Sequence, residues 1–379
     1  MVCRFLFWAS AASLAYTFAG YQVLITSLAR ARRRPVRAER EEGAAEAATA
    51  LIVACDEGAR IRSRIENLHA SRVPVSVAVC SDGSIDDTAA QARKAGAKVF
   101  EFAERRGKAA CLAEVIPQLD SPLVVLTDAR QQFTPDTVSR LTGHFQDPAI
   151  GAVSGILRIG EPGTAAGSGV NAYWKMETAV RQAESDLDSC IGCTGAVYAI
   201  RRSLFRPPPA DTILDDVVIP MQIAIAGYRV LYDSEAEAFD PQALDPRAET
   251  RRKARTLAGN FQMLLRYPHW LLPWKNRLAF QLISHKYFRL AGPGLLLCAL
   301  VSSGLLAGEP FYRVCLAMQV LLYGLAAAGL ALPSLRVSLF SIPAGFVFLN
   351  FMTLRGFLRF LFGARGGAWE RALPAREMR

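Results

Sequence analysis

The stretch that most constrains the fold is Pro122-Leu-Val-Val-Leu-Thr-Asp128-Ala-Arg130. Its four apolar residues are bounded by a proline and by polar side chains, the pattern of a strand buried on both faces of a parallel sheet. Parallel strands need crossover connections, so the flanking chain must supply helices. It does. Further strands are expected at about residues 50–55, 74–80, 98–102 and 151–154. Helical spacing is expected at about residues 57–69, where Ile61, Ile65 and Leu68 share a face, and at 86–95, 135–145 and 216–226. The alternation implies βαβ units and a mostly parallel, right-handed sheet. Asp128 falls just beyond the carboxyl end of the central strand, where open α/β sheets place their ligand chemistry. A carboxylate there suits a divalent cation that holds a diphosphate, and it equally suits an N-cap of the next helix.

The two ends of the chain have a different composition. Residues 5–28 form an uncharged stretch long enough to span a bilayer, followed at once by Arg30, Arg32, Arg33, Arg34 and Arg37. A signal peptide would carry its charges ahead of the apolar core, so this reads as an anchor with its carboxyl end in the cytosol. Three more apolar spans lie at about residues 290–307, 314–332 and 337–354. Ahead of them, residues 251–266 read as an interfacial helix, and Trp270, Trp274, Lys275, Arg277, Lys286 and Tyr287 as a headgroup belt. The chain thus divides into an N-terminal transmembrane anchor (1–29), a charged linker (30–48) and a cytosolic α/β domain (49–250). Interfacial helices (251–289), about three transmembrane helices (290–362) and a basic tail (363–379) follow. Three spans after a cytosolic domain would put the arginine-rich tail outside, against the positive-inside rule, unless one segment is re-entrant or interfacial.

The net charge is +10 and 51% of residues are hydrophobic. The basic residues cluster beside the apolar spans, with no cationic stripe interleaved with stacking aromatics, which favours an anionic membrane face over nucleic acid. The eight cysteines are scattered, several inside apolar runs, and read as reduced small hydrophobes. Cys190 and Cys193 are a close pair without the second pair that zinc would need.

Four features of the α/β domain carry chemistry. Asp82, beside Gly83 in a strand-to-helix loop, can hydrogen-bond a base or ribose, or make an Asx turn. Arg106-Gly107-Lys108 joins a flexible glycine to a cation that can reach a phosphate. Asp128 is the rim carboxylate. Asp215-Asp216 opens a helix after the prolines at 207–209, where acids also complement the helix dipole.

In this order and spacing the features resemble the family-2 glycosyltransferases, inverting membrane enzymes with the A-type, Rossmann-like fold that binds nucleotide-diphospho-sugars. Ala54-Cys-Asp56-Glu57 stands at the family's first-strand acidic motif, and Ser81-Asp82-Gly83-Ser84-Ile-Asp86-Asp87-Thr88 resembles its nucleotide loop. Gly107-Lys108-Ala109 and Thr127-Asp128-Ala129 are similar to its glycine-lysine segment and the start of its D-x-D metal motif. Thr194-Gly195-Ala196 and Arg201-Arg202-Ser-Leu-Phe205 resemble its acceptor-side loop, and Leu214-Asp215-Asp216 the acidic pair whose second member is the base. The stretch from Arg251 through Arg252, Arg255 and Thr256 to Gln262 resembles the basic interfacial motif of polysaccharide synthases.

The resemblance implies that Asp216 is the catalytic base, with Asp215 beside it, and that Glu57 and Asp82 hold the uridine part of the donor. Lys108, Arg130, Arg252 and Arg255 would stand near the diphosphate, Gly195 on the acceptor side, and Asp128 on Mg2+ or Mn2+. Two positions depart from the pattern. Arg130 replaces the second carboxylate of D-x-D, and Thr256 replaces the tryptophan that processive synthases carry. The implied donor is a UDP-hexose or UDP-N-acetylhexosamine. The implied acceptor is a lipid-linked sugar or growing polysaccharide at the cytosolic face of a bacterial inner membrane, in cell-envelope or exopolysaccharide synthesis. Two other readings remain: transfer of one sugar to a lipid such as a polyprenyl phosphate or ceramide, and a catalytically silent scaffold. Arg130 favours the scaffold, while the presence of Asp82, Asp128 and Asp216 together opposes it.

Overall fold

The computed structural model describes residues 1–36, 46–159, 172–240, 246–331 and 338–363. Most of the charged linker at 37–45 and the basic tail from 364 lie outside the described residues. The chain separates into two compact units, one built around residues 25–248 and one around the apolar helices.

The first helix, α1 (Val2–Ala31), contains a π-helical turn over Tyr16–Gly20. The α/β unit then runs β1 (Ala48–Ala54), α2 (Gly58–His69), β2 (Ser76–Asp82), α3 (Thr88–Lys94), β3 (Lys98–Phe102) and α4 (Lys108–Val115). Next come β4 (Leu123–Thr127), β5 (Gln132–Phe133), α5 (Thr137–Gly143), β6 (Ile150–Ile159) and α6 (Ala172–Leu187). It closes with β7 (Val197–Arg201), α7 (Asp215–Ile225) and β8 (Arg229–Asp240). The sheet order is β3-β2-β1-β4-β7-β6-β8-β5. The first four strands are parallel, and β7 runs antiparallel to both β4 and β6. The sheet is therefore mixed where uniform alternation suggested mostly parallel. An antiparallel strand brings its amino end, not its carboxyl end, to the ligand-binding rim.

Apolar residues of β1 and β4 face helices on both sides, and every residue of both strands is buried. Ile61, Ile65 and Leu68 seat α2 on the sheet through the spacing seen in the sequence. The chain leaves β1 towards β2 and β3 on one side, then returns to place β4 on the other. Between β1 and β4 lies the crevice that α/β sheets use for ligands. Asp56 and Glu57 follow one of those strands, and Asp128 follows the other.

The other unit consists of most of α1 with α8 (Pro246–Arg266), α9 (Ala279–Leu305), α10 (Pro310–Ala331) and α11 (Ser338–Phe362). Four helices are long and apolar enough to cross a membrane: Val2–Ala31, Ala279–Leu305, Pro310–Ala331 and Leu339–Phe362. Aromatic edges knit them together, as in Phe7 against Tyr312 at 5.0 Å and Phe18 against Phe346 at 4.9 Å between ring centroids. Leu297, Val301, Leu305, Val314, Met318 and Leu321 on α9 and α10 are each more than half exposed. Arg277 departs from the expected headgroup belt. It belongs to the α/β unit, where its guanidinium holds Asp188 at 2.7 Å.

The core predicts its own sensitivity. Ile52→Ala empties a fully buried position and should lose about 3 kcal/mol in denaturant unfolding. Ile85→Ala, at a position 94% exposed, should change stability by less than about 0.5 kcal/mol.

Candidate active site

The site is assembled from the loops at the ends of β1, β2 and β4, the loop before β7, and the first turn of α7. Asp82 ends β2 and is almost fully buried. Its Oδ1 accepts from the Arg106 amide at 2.6 Å and its Oδ2 from the Gly107 amide at 2.9 Å. The carboxylate thus clamps the loop that opens α4. Gly107 caps that helix at φ +90°, a conformation that other residues reach only with strain. The clamp fixes the next residue, Lys108.

The Lys108 ammonium meets Asp128 Oδ1 at 2.8 Å and Asp215 Oδ2 at 3.9 Å. Burial by itself would lower its pKa, but Asp128 and Asp215 reverse that and hold it above the ordinary lysine value. The group therefore stays cationic across the physiological range. Its contribution to stability is complete below the usual lysine pKa of about 10.4 and fades only as pH rises through the higher folded value.

Behind Asp128 stands Arg64, a residue that the sequence reading missed. Its guanidinium is buried, donates to Thr127 Oγ1 at 2.8 Å and lies 4.1 Å over the Phe133 ring. Burial lowers its pKa, and Asp128 opposes that shift. The signal was present, since Arg64 interrupts the apolar face of Ile61, Ile65 and Leu68. Thr127 in turn donates to the Ala196 carbonyl at 2.8 Å and so ties β4 to the loop before β7.

Arg130 turns towards Asp240 at the end of β8, 2.5 Å away, where Gln131 also donates to the same oxygen at 3.3 Å. Asp136, the other acid nearby in sequence, pairs with Arg72 instead. Glu57 pairs with Arg60 at 3.0 Å. Its amide is bound by Thr88 Oγ1 at 2.8 Å, which joins the first-strand acidic motif to the nucleotide loop.

Asp215 and Asp216 open α7, with their charges at its positive end. Pro220 sits four residues after Asp216 and has no N–H to give it. The Asp216 carbonyl accepts from the Cys193 amide instead, at 2.7 Å. The missing helical bond thus fastens the loop before β7 to the helix that carries the acids. Gly195 fits against the Asp216 carboxylate so closely that a Cβ there would stand 2.8 Å from Oδ2. Arg181 on α6 braces the loop from behind, donating to Thr194 Oγ1 at 2.9 Å and to the Gly192 carbonyl at 3.2 Å. Tyr198 is fully buried on β7, and its hydroxyl has no hydrogen-bond partner among the described residues. Burial raises its pKa first, and Asp215 and Asp216 raise it further.

The segment 201–205 requires a correction. Arg201 pairs with Leu123 across the ladder, at the opposite end of β4 from Asp128, because β7 runs antiparallel. Its guanidinium binds the Ile150 carbonyl at 2.8 Å, and Arg202 binds the Ser121 carbonyl at 3.0 Å. Of the two acceptor-side motifs, only the one around Gly195 reaches the rim. Arg252 and Arg255 stand on α8, in the other unit.

Residues 49–207 match the family described as glycosyl transferase family 2. That match lies within the α/β domain. The chain is a glycosyltransferase, and its sheet is the A-type fold of enzymes that use nucleotide sugars. A mannosyltransferase from Pyrobaculum calidifontis, solved with GDP-Man and Mn2+, superposes with a TM-score of 0.73 at 21% identity. The match covers 95% of this chain and 99% of that one. Mannosyl-3-phosphoglycerate synthase from Rubrobacter xylanophilus matches at a TM-score of 0.44 and 17% identity, over 64% of this chain and 84% of that one. No protein of curated function matches the sequence.

The Pyrobaculum mannosyltransferase was solved with Mn2+. Among the described residues, no three histidine, cysteine, aspartate or glutamate side chains gather to hold a metal. Asp128 is the residue that fits the task. One of its oxygens is held by Lys108, and the side chain remains 27% exposed. Magnesium is often held by one or two carboxylates, with substrate phosphates and water completing the shell.

Lys108→Ala should destabilise the protein by about 3 kcal/mol, because it leaves Asp128 and Asp215 facing each other without the intervening cation. Chemical denaturation of the full chain measures this. An unchanged midpoint would mean that the acids relax apart.

Proposed function

We propose that the protein is an integral membrane, inverting glycosyltransferase that moves a sugar from a UDP-sugar to a lipid-linked or polysaccharide acceptor. The observation that carries this reading is the convergence of Asp216, Gly195, Lys108 and Asp128 on one rim of the sheet. Inversion needs a base on the face opposite the leaving group, to take the acceptor hydroxyl's proton as that oxygen attacks the anomeric carbon. Asp216 is assigned that role. Gly195 packs against its carboxylate on the proposed acceptor side. The departing nucleoside diphosphate gains charge, which Lys108 is placed to stabilise. A divalent cation on Asp128 would neutralise further charge on the same phosphates. Arg252 and Arg255 complete the proposed diphosphate side, and Glu57 and Asp82 the nucleoside side. The two Asp82 hydrogen bonds add that it shapes the donor site through its grip on the Arg106–Gly107 loop.

The four apolar helices and their bare outward faces support residence in a membrane, with the catalytic domain on the cytosolic side of a bacterial inner membrane and the acceptor in the bilayer. Transfer of a single sugar to a lipid carrier is the alternative supported by Thr256, which stands where processive synthases have tryptophan. The nearby mannosyltransferase fold, solved with GDP-Man, makes GDP-sugars the second donor class to test.

Asp216→Asn should lower turnover on the order of a hundred- to ten-thousand-fold, with donor affinity retained, because the amide keeps the shape but cannot accept the proton. Radiolabelled UDP- and GDP-sugars offered to the protein in lipid provide the assay. A variant that keeps most of its rate would move the base to Asp215.

Donor binding should depend on magnesium or manganese in the wild type and in Arg130→Ala, and should be weaker in the variant because the Arg130–Asp240 ion pair is lost. Isothermal titration of the donor with and without chelator decides the point. Tight binding by the wild type in excess chelator would assign the cation's role to Lys108 and its neighbours.

A further inference from the structure

We infer that Arg251, Arg355 and Arg359 form a binding site for the phosphate of an anionic membrane lipid. The inference rests on the membrane reading above and on no feature of catalysis. The three arginines, with Ala254 and Leu358, line a cavity of about 330 Å³ between α8 and α11. The two helices meet closely there. A Cβ on Gly356 would lie 2.5 Å from that of Leu257, and the Phe261 ring packs 5.1 Å from Phe357.

Three facts point to a phosphate. Arg355 and Arg359 are one helical turn apart, so their like charges repel on the same face of α11. Arg355 occurs within a helix apolar enough to span a membrane, where a cation is costly unless it reaches the headgroups or meets an anion. Neither Arg251 nor Arg355 has a carboxylate within ion-pairing distance among the described residues. An oxyanion between these guanidinium groups relieves the repulsion, and their planar forks suit phosphate oxygens.

The lining also separates a lipid from a free phosphate. Ala254 and Leu358 supply an apolar wall, which suits the glycerol and first acyl carbons of a lipid and offers nothing to an inorganic ion. The depth agrees. Helix α8 carries Arg251, Arg252, Lys253 and Arg255, so it belongs at the headgroups and not in hydrocarbon. The end of α11, packed against it, must lie at the same level.

The test uses full-length protein in mixed micelles of phosphatidylglycerol and phosphatidylcholine, with retained lipid read by native mass spectrometry. Wild type should retain phosphatidylglycerol at least about tenfold over phosphatidylcholine. R251Q/R355Q/R359Q should lose that preference, and R251K/R355K/R359K, which restores the charge, should recover most of it. Equal retention of the two lipids by wild type, or undiminished preference in the glutamine variant, overturns the inference. Displacement of the lipid by excess inorganic phosphate overturns the lipid assignment in favour of a soluble anion. Recovery of wild type from the soluble fraction without detergent would instead refute the membrane reading itself.

Discussion

The site depends on one buried cation. Asp128 and Asp215 come from two separate elements, and Lys108 lies within ion-pairing distance of both, with Asp216 next in the chain. Carboxylates brought this close cannot all remain ionised without a compensating charge. The Lys108 ammonium supplies it, and the surrounding fold holds that ammonium in place. The Asp82 carboxylate grips two loop amides, Gly107 takes the left-handed turn, and α4 begins at the lysine. A residue whose sequence context reads as nucleotide recognition thus also acts as a structural clamp for the phosphate-side cation.

A second dependence links Asp216 to the loop before β7. Pro220 cannot donate the bond that would continue α7, so the Asp216 carbonyl is available to the Cys193 amide. Gly195 then approaches the Asp216 carboxylate at a distance that no side chain would permit. Arg181 fixes the back of the same loop. Together these place the proposed proton acceptor and the acceptor subsite as one unit. A shift of the loop would move both.

The unit of apolar helices follows a different logic. Its helices are apolar nearly all round, and large side chains on α9 and α10 face outward, as lipid contact requires. Specific pairing comes from aromatic edges and from small residues such as Gly329, against which Ala344 packs. Against that background Arg251, Arg355 and Arg359 line a cationic cavity between two of its helices.

The sequence by itself determined the strands β1 to β4, the stripe that seats α2 and the four apolar helices, and it singled out Lys108, Asp128 and Asp216 as candidates for chemistry. Periodicity, turn residues and strand-end position are local, so they survive in one dimension. Tertiary structure alone decided which partners these residues take. Asp240 meets Arg130 although 110 positions separate them, Arg181 reaches Thr194 from another helix, and Tyr198 settles among the acids. It also decided that Arg201 and Arg202 lie on the far rim, because the direction of β7 is set by its pairing with β4 and β6 and leaves no mark in its own apolar run. Strand direction and the pairing of distant charges are properties of the packed sheet. The physical reason is that both are settled by contacts between segments, which a single segment does not encode.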